Sequence, residues 1–214
     1  QSLALDAEGE YSIVAESLGG INVVLSPTSS TVINIFDLET EIVKDEITGR
    51  ERLVLNVENK VEDVTQALLT MARGSTRSQE VNELTKQIIA ESVSEEYASL
   101  GINGDPNSLY KTVNGSMAGN MLGKEKKEMP TIGSWYRRIQ RKAEENKNPD
   151  YSFHYSYLLK VMKQYIREYD GQMAYFDGQS TFDLLEGALF INLDISQLEE
   201  KFARPLAQQI LLEW

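Results

Sequence analysis

The sequence predicts an α/β fold in which a small parallel sheet is interrupted by a large all-helical segment. Three observations predict it. An apolar run, Leu3–Leu5, leads straight into an acidic turn, Asp6-Ala7-Glu8-Gly9-Glu10-Tyr11. A second apolar run, Ala188–Leu193, ends in the same way at Asp194. Between them, from about residue 59 to residue 170, the hydrophobic period is helical. Buried parallel strands read as short continuous apolar runs, and they deliver polar side chains to the rim at their carboxyl ends.

Each element follows from local chemistry. Leu3–Leu5 has almost no lead-in, as expected of a strand cut from the interior of a larger domain. Ser12–Leu18 reads as a short helix that Gly19-Gly20 ends, because glycine takes the left-handed C-cap conformation without steric cost. Ile21–Leu25 is a β-branched strand. Ser26–Thr31 holds turn chemistry around Pro27, and Val32–Phe36 is apolar again up to Asp37. Ile42/Val43 and Leu53–Val57 flank Asp45–Arg50, which predicts a solvent-facing hairpin.

From about Asn59 the period becomes helical. Val61, Val64, Leu68, Met71 and Ala72 make one stripe, with Gly74 after it. Leu84, Ile88, Ile89, Val93, Tyr97 and Leu100 make a second. Gly101–Asn107 is a loop by composition, and the Gly- and Met-rich segment Asn114–Gly123 is expected to be mobile. Thr131–Glu145 is a third helix, polar over most of its length. Tyr151–Tyr169 is a fourth, with Tyr155, Leu158, Leu159, Met162, Tyr165 and Ile166 on its apolar side. Ile195–Trp214 is the last, and Pro205 should kink or restart it. The expected division is 1–58 and 171–214 in the α/β part, with 59–170 as an all-helical subdomain inserted between them.

Composition sets the bounds on function. The chain has 214 residues, 41% hydrophobic and 25% charged, which suits one large domain or a domain with an insertion. The formal net charge is -12, and the acidic excess falls mainly in residues 1–63. That sign argues against broad binding to a nucleic-acid backbone, which needs Lys and Arg to displace counterions. A local basic patch stays open. Cysteine is absent, which removes disulfides, thiol catalysis and Cys-type zinc sites and fits a reducing cytosol. His154 is the only histidine, so a Ser-His-Asp triad or a multi-His metal site would have to use it. No apolar run approaches the roughly 18–20 residues of a membrane span, and no signal peptide is visible.

Four constellations carry possible chemistry. Asp6, Glu8 and Glu10 put three carboxylates at a strand end. There they can orient water, help place a metal ion or contact a neighbouring subunit's nucleotide. The same residues also suit an acidic loop and N-cap, which the dipole of the next helix favours. Trp135 and Tyr136 stand beside Arg137, Arg138, Arg141 and Lys142. Aromatics among basic residues can stack bases and bind phosphates, which makes Trp135, Arg137 and Arg138 candidates for single-stranded nucleic-acid contact. A solvated helix face with one buried aromatic is the commoner use of such a stretch. Asn103, Asp105 and Asn107 alternate like a calcium loop, but Pro106 and the missing later Glu break the match, so a turn or N-cap is expected. His154, among Tyr151, Phe153, Tyr155 and Tyr157, reads as part of a helix packing face. A phosphate-binding loop is missing from the sequence: GxxxxGK(S/T) does not occur, and no GxGxxG follows a strand.

The order of the pieces resembles the large cytoplasmic ATPases of type IV secretion and conjugation systems. These form the TraE/TrbE/CagE group in the HerA–FtsK branch of the RecA-like ATPases. The family reads D-P-E-x-E-Y where this chain has Asp6-Ala7-Glu8-Gly9-Glu10-Tyr11. Its next helix ends L-G-G, as Leu18-Gly19-Gly20 does, and an S-P-x-S turn follows, here Ser26-Pro27-Thr28-Ser29. I-N-P-F-D corresponds to Ile33-Asn34-Ile35-Phe36-Asp37. After a helical subdomain comes D-G-x-(S/T), here Asp177-Gly178-Gln179-Ser180. A strand ending D-(I/L)-S-x-L corresponds to Asp194-Ile195-Ser196-Gln197-Leu198, and R-P to Arg204-Pro205. Ala7 and Ile35 replace prolines, which alters turn stiffness and removes no functional group. The match covers both ends and the layout; the helical middle matches by position and type.

The resemblance implies a partial RecA-like sheet with a large all-α insertion. It implies a piece of an ATPase, with the phosphate-binding loop upstream of Gln1 and the acidic magnesium-positioning strand beyond Trp214. Such a piece should not hydrolyse ATP alone. The intact ATPase would use ATP and Mg2+, and neither is expected to bind tightly here. By resemblance, Glu8 and Glu10 are candidate active-site carboxylates near the γ-phosphate. Implied partners are other secretion or conjugation proteins and further copies of the intact chain. The implied location is cytoplasmic, peripheral to the inner face of the cell membrane. The alternative is a stand-alone helical interaction module with a small sheet and no ATPase ancestry.

Overall fold

Leu3–Leu5 and the run that ends at Asp194 lie side by side in one sheet. The computed structural model describes residues 2–45, 49–74, 81–111, 125–182 and 189–213. The Asn114–Gly123 segment, Ala188 and Trp214 lie outside the described residues. In chain order the elements are β1 (Ser2–Asp6), α1 (Ser12–Ser17), β2 (Ile21–Val24), β3 (Glu41–Lys44), β4 (Glu51–Val54), α2 (Val57–Arg73), α3 (Glu83–Ser99), α4 (Ile132–Glu145), α5 (Pro149–Val161), β5 (Phe190–Asp194) and α6 (Ala203–Glu213). The result is a mixed α/β fold with a small parallel sheet and six helices among the described residues.

The sheet order is β1-β5-β2, all parallel. β5 is in the middle, with Leu193 beside Leu5 on one side and Val23 on the other. Ile191, Leu193 and Val23 send one face of the sheet into the core. The alternate residues, Asn22, Asn192 and Asp6, give the other face a polar row, because successive side chains point to opposite sides. Between β1 and β2 runs α1, closed by Gly19 at φ 64. Gly20 then passes so near β5 that a Cβ would lie 2.4 Å from the Phe190 carbonyl oxygen.

After β2 the chain leaves the sheet, and among the described residues it returns only at β5. The two crossings are tied to each other. Val32 and Thr181 exchange backbone and hydroxyl hydrogen bonds. Asn34 N–H donates to Ser180 Oγ at 2.8 Å, and Ser180 Oγ donates to Asp37 Oδ2 at 2.5 Å. The Asn34 amide also donates to the Pro130 carbonyl. Asp37 is held above its ordinary pKa by burial, against the hydrogen bond from Ser180 and the charges of Lys126 and Lys60.

Beyond these crossings stand the β3–β4 hairpin and the helices α2 to α5. Strand β3 is exposed throughout and β4 over most of its length, as the hairpin reading expects. The helices share the core with the sheet. Trp135 is fully buried and its Nε1 donates to Ser92 Oγ at 2.7 Å. Four tyrosines place their polar tips on backbone carbonyls: Tyr97 on Phe36, Tyr136 on Leu159, Tyr157 on Ala72 and Tyr165 on Met71. Each ring buries apolar area while its hydroxyl stays satisfied.

Two helices are shorter than their apolar pattern. The stripe through Tyr169 predicts one helix, but α5 stops at Val161 and short 3-10 turns follow at Met162–Tyr165 and Arg167–Tyr169. Asp177 fixes the break at Ile166. Its Oδ2 takes the Arg167 N–H at 2.8 Å, a donor that a continued α-helix would give to Lys163. Ile166 is consequently extended. Likewise, Ile195 does not open a helix: its N–H goes back to the Asp6 carbonyl, and only a turn closed by the Leu198 N–H on the Ile195 carbonyl follows. Helix α6 starts at Ala203, where Glu199 accepts the N–H groups of Lys201, Phe202 and Ala203. Pro205 therefore falls in a first turn, where its missing N–H costs nothing.

Asp177 is buried, and its other oxygen accepts the Gly133 N–H at 2.7 Å near the start of α4. Asp177→Ala strands two backbone donors and should lower unfolding stability by about 3 kcal/mol. A urea melt reads this directly.

Candidate functional site at the carboxyl rim of the sheet

The three strands end on one rim, where the DAEGEY turn leaves β1 and the DISQL turn leaves β5. The Asp6 carboxylate is 2% exposed and is used up inside its own turn. Its Oδ1 accepts the N–H groups of Glu8 (3.2 Å), Gly9 (2.7 Å) and Glu10 (3.2 Å). Its Oδ2 accepts the Tyr11 N–H at 2.8 Å and the Asn192 amide at 3.3 Å. Burial pushes the Asp6 pKa up, but these donors together outweigh it and hold the carboxyl below its ordinary value. Asp6 is thus the keystone of the turn, with little left to offer a metal or a water.

The same arrangement turns the other two carboxylates outward. Gly9 sits at φ 77, and a Cβ there would lie 3.0 Å from Ser196 Oγ, so the turn rests against the exit of β5. Glu8 and Glu10 are exposed on its outer side. Arg204 reaches Glu8 from the start of α6, with Nη1 3.6 Å from Oε1. The Arg204 side chain is 15% exposed against 77% for Glu8. Its Nη2 donates to the Ser196 carbonyl at 2.8 Å, and its Nε is buried with no partner among the described residues. The rim therefore presents two carboxylates with a cation anchored behind one of them. Chemically, it can orient and polarise a water molecule.

Sequence reading pointed to Glu8 and Glu10 but not to two residues that shape the turn. Arg204 served there only as a sequence marker. Asn192 had no signal beyond being a polar residue inside an apolar run. It is fully buried on the central strand and donates to both Asp6 and Asn22, and its own Oδ1 has no partner among the described residues.

The α4 candidates are placed elsewhere, on the helical side of the molecule. Trp135 lies in the core and has no open ring face for a base. Arg138 is engaged with Glu96 at 2.5 Å and Glu95 at 3.5 Å, and Arg137 faces Glu168 at 3.2 Å. The groove beside them is lined by Glu96 and Glu144 as well as by Arg137 and Arg141, so its charge is mixed. His154 is buried, with Nδ1 2.9 Å from Thr85 Oγ1. Asp105 caps a short turn by accepting the Asn107 N–H. Among the described residues no three His, Asp or Glu side chains are grouped to hold a metal ion.

The fold resembles that of VirB4. Over 99% of its length the chain matches the structure of VirB4 of Thermoanaerobacter pseudethanolicus, with a TM-score of 0.65 and 19% sequence identity. The chain spans 66% of that neighbour. No family model matches the sequence, and no curated protein matches it. At this identity the likeness is one of fold. It joins the sheet and the helices between β2 and β5 in a single correspondence.

Asp6 gives the rim a pH signature. Its folded pKa is depressed, so its contribution to stability is complete above the unfolded value and is lost as pH falls through the folded one. Asp6→Asn should cost about 2 kcal/mol at neutral pH, and the gap from wild type should close below about pH 4. Denaturant melts across that range measure it.

Proposed function

We propose that this chain is the part of a type IV secretion or conjugation ATPase that carries the carboxylate turn of a RecA-like sheet together with an all-helical interaction subdomain. The observation that carries the proposal is the DAEGEY turn itself. Asp6 is spent on its own backbone, so Glu8 and Glu10 stand at the rim of a parallel sheet, where α/β folds bind ligands. The order of the sequence motifs and the VirB4-like fold support the same reading.

In this reading Glu8 and Glu10 orient the water that attacks the γ-phosphate, and Arg204 positions Glu8. Phosphoryl transfer needs little more from protein groups than placement and electrostatics. The residues present suit the water-activating side of such a site. The side that grips phosphate needs a loop this sequence does not contain, so ATP and Mg2+ belong to the intact ATPase. The magnesium supplies charge neutralisation on the phosphates when bound. The helices α2 to α5 serve as the docking surface for other secretion components, and the intact protein works as a homo-oligomer. We place it in the cytoplasm, held at the inner face of the cell membrane by partners. No described helix is long and apolar enough to cross a membrane.

Calorimetric titration of this chain with Mg-ATP should give no saturating heat; a stoichiometric isotherm overturns the proposal. In a polypeptide that joins these residues to a GxxGxGK(S/T) loop, Glu8→Gln or Glu10→Gln should reduce kcat by about a hundredfold or more with nucleotide affinity unchanged. If both variants keep wild-type turnover, the turn is not catalytic.

A further inference from the structure

The loop that follows α3 holds a reactive pair unrelated to the rim. Asn103 and Gly104 are both exposed. We propose that Asn103 is a site of spontaneous deamidation in the folded protein, with water as the only co-reactant. In the first step the Gly104 backbone nitrogen loses its proton and bonds to Asn103 Cγ. The Cγ–Nδ2 bond breaks, and ammonia leaves with that proton. Water then opens the cyclic imide at either carbonyl, giving aspartate or isoaspartate.

The local structure favours the first step in three ways. Nothing lies within 4 Å of the position a Gly104 Cβ would take, so the nucleophile has open space around it. The Gly104 N–H makes no hydrogen bond among the described residues, so its proton is free to leave. The Asp105 N–H donates to Asn103 Oδ1 at 2.8 Å, which polarises the carbonyl and supports the oxyanion that develops on attack. Ser108 holds the arrangement in place: its Oγ accepts the Asn103 N–H at 3.0 Å and donates to the Asn103 and Asp105 carbonyls. Isoaspartate would lengthen the backbone inside this clamp, directly between the buried residues Ile102 and Leu109.

Peptide mapping by mass spectrometry after incubation of the full chain in mildly alkaline buffer tests the proposal. The peptide with Asn103 should gain the mass of one amide-to-acid exchange, contain isoaspartate and convert faster as pH rises. Asp105 has φ -80, which proline can adopt. Asp105→Pro, which removes the N–H donor, should slow conversion severalfold, while Asp105→Ala, which keeps it, should not. The proposal is overturned if Asn103 stays amidated while a free peptide of residues 100–108 converts. Conversion confined to Asn114, in the sequence's other Asn-Gly pair, overturns it as well.

Discussion

The return of β5 between β1 and β2 is the constraint on which the structure rests. Neither outer strand bonds to the other; among the described residues each finds its strand partners only on β5. The sheet therefore does not exist until a strand arrives from the far end of the chain. Such a closure is tolerable because the entropy of a long loop grows slowly, by about 0.6 kcal/mol per doubling of length. Holding the loop's two ends together then does the rest. The hydrogen bonds that join Val32, Asn34 and Asp37 to Ser180 and Thr181 do this, and they let the helices between fold against the sheet in one continuous core.

The rim inherits its chemistry from that pairing. Asp6 and Asp194 end adjacent strands in register, so the turns that follow them must touch. Gly9 rests on Ser196, and Arg204 reaches back to Glu8. Three carboxylates of one type thereby receive different tasks. Asp6 is desolvated and saturated with donors, which makes it structural, while Glu8 and Glu10 are in water. The difference lies in which direction the turn faces, and that is set by Asp6 drawing four backbone N–H groups inward.

Much of the fold was legible in local pattern. Leu3–Leu5, Ile21–Leu25 and the run up to Asp194 read as strands because buried parallel strands are short and continuously apolar. The hairpin was marked by its polar turn, and α2 and α3 by apolar stripes at helical spacing; α4 was read as a helix that is polar over most of its length. The ends of α5 and α6 were not legible. Tyr165 and Ile166 continue the apolar side of α5, yet Asp177 takes the N–H that the helix needs. Ile195 and Leu198 continue that of α6, yet the chain there is committed to the turn beside Asp6. Trp135 among arginines left a binding face open on paper, although a solvated helix face with one buried aromatic is the commoner use of such a stretch. Its burial depends on α3 presenting Ser92 to its indole nitrogen.

By itself, then, the sequence determined where strands, turns and helices begin to form, because propensity and hydrophobic period act over a few neighbouring residues. It also determined that Glu8 and Glu10 follow a strand, as a matter of adjacency. Only the tertiary structure decided the strand order, the end of α5, the start of α6, and the contact of Arg204 with Glu8. Each of these depends on partners from ten to nearly two hundred residues away. No local window contains the group that satisfies a donor, or leaves it unsatisfied, at such a distance.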